Sequence, residues 1–273
     1  MNYKIIASDL DGTLLYDVTS VSEENYKAIA EYNKMGGQLV PTSGRCFYEM
    51  PKELIACPDV RYYISSNGSV ITDTQTGERD EVLISSEKFA ELRKLLEGYE
   101  TYLNIHCDGY GLMLEETDDW DLAKSYNMNI YYYQHYHHNS KKIAKWEDFI
   151  GEGKGVEMIA VFFRHQSELD ECLKKLNELG GVIATSSTDF NVEIISVGAS
   201  KGDGIRRLAK KLGVSTDEII GVGDSRNDMA LLDGVGLPLA VSNAADVLKE
   251  KAKKVICHHQ VHVVRYILDN FIE

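Results

Sequence analysis

The chain is expected to adopt an α/β fold: a Rossmann-like parallel-sheet core carrying an inserted α+β domain. Three observations carry this expectation. Short apolar runs alternate with helical patterns at both ends of the chain, and that alternation lapses in the middle. The 273 residues, 44% of them hydrophobic, also suffice for one large core plus a second, smaller one.

The first run, Lys4-Ile5-Ile6-Ala7-Ser8-Asp9-Leu10, reads as a buried strand that ends on a carboxylate. Ser22 then caps a helix with Glu23 and Glu24 in its first turn, and Gly36-Gly37 closes it. "QLVPTSG" reads as a second strand, residues 49–55 as a helix and "RYYISSNG" as a third strand, which gives the β-α-β-α-β rhythm of a parallel sheet. The same rhythm returns late. "KGDGIRRLAKKLGV" is helical, "DEIIGVGD" a strand and "NDMALLDGVG" a short helix. "LPLAV", "AADVLKEKA" and "KKVICH" continue the alternation to a last helix, "VHVVRYILDNFI". Between the two stretches, "SVITDTQTGERDEVLI" and "TYLNIHCDGYGLMLEE" look like hairpins. "VEMIAVFF", the helix "SELDECLKKLNELGG" and "VIATSSTDFNVEIISV" complete an α+β pattern. The core is therefore expected to comprise residues 1–82 and 197–273, and the inserted domain residues 83–196.

Composition excludes several classes of function. With 43 acidic against 29 basic residues, the formal charge of -14 opposes phosphate backbones and anionic membranes, so neither nucleic acid nor membrane is an expected partner. No stretch reaches the roughly 20 apolar residues of a spanning helix, and the amino terminus lacks a signal-peptide pattern. The cytoplasm is the expected location. Cys46, Cys57, Cys107, Cys172 and Cys257 show neither C-x-x-C nor metal spacing, and are read as reduced thiols.

Four short segments fall at the carboxyl ends of predicted core strands or at the start of a helix. They are Asp9-Leu10-Asp11-Gly12-Thr13, Thr42-Ser43-Gly44-Arg45, Lys201-Gly202 and Gly223-Asp224-Ser225-Arg226-Asn227-Asp228. In open α/β sheets the ligand crevice lies outside those strand ends, so the aspartates are expected to converge. Asp9 and Asp11, two apart, share a side in a regular strand, and Gly12 lets the chain turn sharply after them.

In residue type, order and placement these segments resemble the haloacid dehalogenase superfamily, and the insertion between the second and third resembles its Cof-type phosphatase branch, subfamily IIB. The resemblance spans essentially the whole chain. It implies a Mg²⁺-dependent phosphatase of small phosphorylated metabolites, sugar phosphates first, with the insertion acting as a cap domain. Asp9 would be the nucleophile that forms an aspartyl-phosphate, and Asp11 the acid that protonates the leaving oxygen and the base that later activates water. Asp224 would join the Asp9 carboxylate and the Asp11 backbone carbonyl around Mg²⁺, with Asp228 close behind. Ser43, the backbone of Gly44, Lys201 and Asn227 would bind or neutralise the phosphate, while Arg45 and Asn67 stand where Cof-type relatives approach substrate.

Two departures bear on the substrate edge. The chain reads Val241-Ser242-Asn243-Ala244 where many relatives have Met-Gly-Asn-Ala, and "CHHQVHVV" lacks the T-x-x-N-x-x-x-G-V run commonly found there. His258, His259 and His262 have no acidic or cysteine company at metal-binding spacing, which disfavours a metal site. His135, His137 and His138, in "YYYQHYHHNS", are read as part of a solvated or packed aromatic surface, against the alternative of a substrate-facing wall. Water or a bound sugar could accept the phosphoryl group, so a phosphomutase shares the motifs. A signalling protein that keeps phosphate on Asp9 without turnover would need neither Asp11 nor a cap.

Overall fold

In a computed structural model that describes residues 2–17, 19–151, 153–186 and 188–272, the chain divides into two compact units. One comprises the described residues up to Arg45, Met50–Asp80 and the described residues from Ala199 onward; the other comprises Cys46–Glu49 and Glu81–Gly198. The long joins thus fall at 80/81 and 198/199, and a four-residue excursion at 46–49 was not expected.

The first unit is built on a five-stranded parallel sheet in the order Lys254–Val255, Leu237–Ala240, Ile219–Gly223, Ile5–Ser8, Gln38–Pro41. Ile5 lies opposite Ile219 on one side and Gln38 on the other. Ile5, Ile6, Ala7, Ile219, Ile220 and Val222 are all buried, as continuous apolar runs must be when both faces of a sheet are covered. The helix Glu23–Lys34 starts where Ser22 Oγ accepts from Asn25 N, and Asn25 Oδ1 in turn accepts from Val264 N of the last helix, Val263–Phe271. The helix Lys201–Leu212 is fixed at its start by a reciprocal Ser200–Asp203 box and stopped by Gly213 in the left-handed region.

Two expected elements differ. The third strand, Tyr62–Ser65, touches the parallel sheet through one bridge, Thr42 to Ile64, and instead heads a separate three-stranded sheet with Val70–Asp73 and Arg79–Glu81. The cause is local: Ser66 and Asn67 both have positive φ, which reverses the chain at once and gives the strand an antiparallel partner. The helix expected over residues 49–55 is only Lys52–Ile55. Pro51 stands at its N-cap and disfavours helical geometry at Met50, so Phe47–Glu49 forms a separate short turn.

The second unit is a six-stranded sheet in the order Val182–Thr185, Asn191–Ser196, Met158–Phe163, Thr101–Cys107, Tyr110–Leu114, Lys141–Ile143. The Asp108-Gly109 turn, with both residues at positive φ, closes the antiparallel pair formed by Thr101–Cys107 and Tyr110–Leu114. Alternation along the strands separates the two faces. Ile105, Ile159, Val161, Val192 and Ile194 meet Phe89, Leu92, Leu169, Cys172 and Leu176 from the helices Ser86–Leu96 and Gln166–Leu179. Tyr102, Asn104, His106, Phe162 and Glu193 occupy alternate positions and are also buried.

The aromatic-rich segment forms the helix Ile130–Asn139, whose Tyr132 and Tyr136 rings meet Phe162 edge to face. Its His135 bonds Glu49, and His137 bonds Asp118, which Lys142 also reaches. The segment thus packs two of its tyrosines on the sheet, while Tyr131 is exposed. No helix among the described residues is long and apolar enough to cross a membrane.

Close helix packing in the first unit depends on Gly202, where a Cβ would lie 2.0 Å from the carbonyl oxygen of Ala230. Gly202→Ala should therefore lower the thermal midpoint, at an overpacking cost of about 1–3 kcal/mol. Gly151→Ala, whose added carbon meets nothing within 4 Å, should leave it unchanged. Equal midpoints for Gly202→Ala and wild type would show that the helix yields instead.

Candidate active site

The parallel sheet gathers the four motif segments within the first unit. Asp9 follows the strand Ile5–Ser8 directly, with its amide pinned to the Val222 carbonyl at 3.0 Å. The chain then coils through Leu10–Leu14, where Leu14 N and Leu15 N donate to the carbonyls of Asp9 and Leu10. Gly12 adopts φ +70°, and a Cβ there would sit 2.7 Å from Asp224 Oδ2. Only glycine serves both demands.

Lys201 stands at the centre. Its Nζ donates to Asp9 Oδ1 at 2.7 Å and to Asp228 Oδ1 at 2.6 Å, and its side chain is 0% exposed. The other oxygen of Asp228 accepts from the amides of Asp224 and Ser225 at 3.0 and 3.1 Å. Asp228 is thus fully engaged in holding Lys201 and the loop that carries Asp224. Thr13 Oγ1 lies 3.5 Å from Asp224 Oδ1.

The charges are unbalanced. Donor oxygens of Asp9, Asp224 and Asp228 lie within 4.8 Å of one another around a single ammonium. Burial pushes the Asp9 carboxyl well above its usual range, with Lys201 opposing and Asp228, Asp224 and Asp11 adding to it. Burial, and then the Asp228 charge, push Asp224 up to about 7. Burial alone would lower Lys201, but Asp228 and Asp9 outweigh it and hold the ammonium protonated. An all-oxygen donor set with excess negative charge fits a hard divalent cation, and the space below Asp224 that a Cβ at Gly12 would fill is kept clear.

Ser43, Gly44, Asn67 and Asn227 come together beside this cluster. Ser43 N donates to Ile64 O, Asn67 N to Ser43 O and Ser66 N to Arg45 O, each at 2.9 Å, which ties the two loops together. Asn227 Nδ2 reaches Asn67 Oδ1 at 3.4 Å, and a Cβ on Gly44 would lie 3.2 Å from that same oxygen. Asn67 stands at φ +56°, a conformation asparagine tolerates better than most residues. Asp11 is close enough for its charge to act on Asp9 and Asp224, and its carboxylate is held by an arginine. Arg45 clasps it with two donors, Nε to Oδ2 at 2.8 Å and Nη2 to Oδ1 at 2.5 Å.

Sequence reasoning missed Asn243, whose Nδ2 donates to the Gly12 carbonyl at 2.8 Å while its Oδ1 accepts from His259 N. The signal was the asparagine kept within Val241-Ser242-Asn243-Ala244. His259 Nδ1 also bonds Leu15 O, and His262 Nδ1 bonds Ser22 Oγ and stacks on Tyr16. These histidines brace the loop that follows Asp9.

Residues 6–268 match the family of haloacid dehalogenase-like hydrolases. The chain is 27% identical to the Bacillus subtilis 5-amino-6-(5-phospho-D-ribitylamino)uracil phosphatase YwtE, over 98% of each chain. It superposes on the solved structure of a haloacid dehalogenase-like hydrolase from B. subtilis with a TM-score of 0.82, at 24% identity, covering 98% of this chain and 99% of that one. The fold is also that of a subclass IIB sugar phosphatase of the superfamily, with a TM-score of 0.80 at 17% identity over 98% of both chains. The chain therefore belongs to the haloacid dehalogenase-like hydrolases, in their Cof-type branch.

Proposed function

We propose that this chain is a Mg²⁺-dependent phosphatase that hydrolyses small phosphorylated metabolites, sugar phosphates first among them, through an aspartyl-phosphate on Asp9. The observation that carries this reading is the Lys201 clamp: it fixes one oxygen of a buried aspartate at a strand end, beside Asp224 and two residues before a second, exposed aspartate. The relatives add weight, one named a phosphatase of a phosphorylated ribityl compound and another a sugar phosphatase.

In the first step an oxygen of Asp9 attacks phosphorus, the bond to the leaving oxygen breaks, and Asp11 gives that oxygen its proton. In the second, Asp11 takes a proton from water as the water oxygen attacks phosphorus, and the bond to Asp9 breaks to release phosphate. Ser43 Oγ, the Gly44 amide and Asn227 Nδ2 donate to phosphoryl oxygens, and Arg45 passes from Asp11 to the incoming phosphate. Mg²⁺, held by Asp9, Asp224 and the Asp11 carbonyl, supplies charge neutralisation for the phosphoryl group when bound.

Because Asp224 is raised to about 7, a proton competes for it below that value. Apparent Mg²⁺ affinity, measured by calorimetry, should fall about tenfold per pH unit below neutrality and level off above it. Chelation should abolish turnover and Mg²⁺ restore it, whereas Ca²⁺, with its longer and looser coordination, should not. Pure pH independence of Mg²⁺ binding between about pH 5.5 and 8 would remove Asp224 from the metal site.

The two opening aspartates should fail differently. Asp9→Asn removes the nucleophile and should reduce turnover to background. Asp11→Asn keeps the nucleophile and loses proton transfer, an effect of about 10²- to 10⁴-fold. With p-nitrophenyl phosphate, whose leaving group needs little protonation, the Asp11→Asn enzyme should phosphorylate Asp9 and then stall. Rapid-quench mass spectrometry should show one added phosphoryl group on the Asp9 peptide. Phosphate on another residue, or none on any, overturns the scheme.

A further inference from the structure

The second unit contains a cluster of ligating side chains that the proposed chemistry does not use. Cys46 and Glu49 stand three apart on the turn whose Glu49 amide bonds the Cys46 carbonyl, so they project from one side. His106 comes from the strand Thr101–Cys107. Ligand atoms of the three lie within 4.8 Å of one another, and the residues are 0%, 3% and 1% exposed. The site is built rather than incidental. His106 is paired in register with Gly111, where a Cβ would lie 2.1 Å from Glu49 Oε1, so the absence of a side chain opposite His106 makes the room for the carboxylate. The turn is anchored to the same hairpin by Tyr48 N on Gly109 O at 2.9 Å, and by Tyr48 stacked on Tyr110.

We propose that Cys46, Glu49 and His106 form a metal site for a borderline divalent cation of the Zn²⁺ type. A thiolate, an imidazole and a carboxylate are the donor set that such an ion takes, and one that Mg²⁺ does not favour. Three protein donors leave a fourth position, for water or for a neighbouring group. Supporting contacts are in place: Ser140 Oγ donates to Glu49 Oε1 at 2.9 Å, Asn104 Nδ2 donates to Ser140 Oγ at 2.9 Å, and His135 Nε2 lies 3.1 Å from Glu49 Oε2. Asn104, two residues before His106 and on the same face of the strand, is itself fully buried, and its Oδ1 has no hydrogen-bond partner among the described residues. The carboxylates of Glu157 and Glu193, also buried, act on His106 and add to the negative charge that a cation would offset. Binding replaces the S–H bond of Cys46 with a metal–sulfur bond and releases the proton to solvent.

The test is a titration of the full chain with Co²⁺ alone, followed by competition with Zn²⁺. To remove the carboxylate cluster of the first unit from the readout, the Asp224→Asn variant is titrated beside wild type. Both should develop a thiolate-to-cobalt charge-transfer band that saturates at one equivalent in Asp224→Asn and is bleached by Zn²⁺, and Zn²⁺ should raise the thermal midpoint of Asp224→Asn. Cys46→Ser on that background should lose the band and the thermal shift, whereas Cys57→Ser and Cys257→Ser should keep both. Absence of the band in well-folded wild type overturns the proposal without any variant, and so does its survival in Cys46→Ser. If Cys46→Ser fails to fold, His106→Gln serves, with weakened binding and a displaced band expected and unaltered binding counting against the site. Because the readout is spectroscopic and works in an Asp224 variant, it is separate from the success or failure of the phosphatase reading.

Discussion

The first unit depends on one interaction, the ammonium of Lys201 held between Asp9 and Asp228. Burying a charge is costly unless it is paired and its remaining donors are used, and two buried carboxylates are costlier still. The geometry answers both demands. Lys201 opens the helix Lys201–Leu212, Asp9 ends the strand Ile5–Ser8, and Asp228 precedes the short helix Met229–Asp233, so three segments far apart in the chain meet at one nitrogen. The parallel register of Ile5–Ser8 with Ile219–Gly223 brings their carboxyl ends level, which is what makes the meeting possible. Asp228 then spends its second oxygen on the Asp224 and Ser225 amides, and the pairing thereby sets the position of the next carboxylate. The single positive charge at Lys201 is two short of what three carboxylates need. That deficit appears as the raised Asp9 and Asp224 carboxyls, and it is the electrostatic ground on which the proposed chemistry takes a cation.

What could be read from the sequence was whatever is encoded locally. Apolar runs marked the core strands, and carboxylates, serine and lysine at their ends marked the cluster, because strand ends on one side of a parallel sheet converge whatever the intervening chain does. The failures have a common cause. The strand Tyr62–Ser65 left the parallel sheet because of two positive-φ residues, Ser66 and Asn67, which no hydrophobic pattern announces. The short turn before Pro51 was absorbed into a longer helix, which concealed that Cys46–Glu49 belongs to the other unit. That concealment also hid the Cys46, Glu49 and His106 cluster. Spacing rules find ligands close in sequence, and His106 comes from another strand altogether.

The two histidine-rich stretches show how little composition decides by itself. His259 and His262 hydrogen-bond the Leu15 carbonyl and the Ser22 hydroxyl, so they act as braces for the loop after Asp9, together with Asn243 on the Gly12 carbonyl. His135 and His137 instead meet carboxylates, Glu49 and Asp118, on a helix otherwise packed through tyrosines. Burial would raise Glu49, yet the hydrogen bond and charge of His135, with His106 and Ser140, bring it down to about 2. A histidine's role follows from what stands opposite it.

The same holds for Asp11, whose carboxylate is held by an arginine. Its side chain is 52% exposed, whereas that of Arg45 is 11% exposed, so the guanidinium side of this bidentate pair is largely shielded from water. In the proposed chemistry a phosphate dianion would offer the Arg45 fork the same two-oxygen geometry with more charge, and charge-assisted hydrogen bonds in place of those to Asp11. In the proposed scheme, substrate arrival would thus free Asp11 from Arg45 for the proton transfers assigned to it.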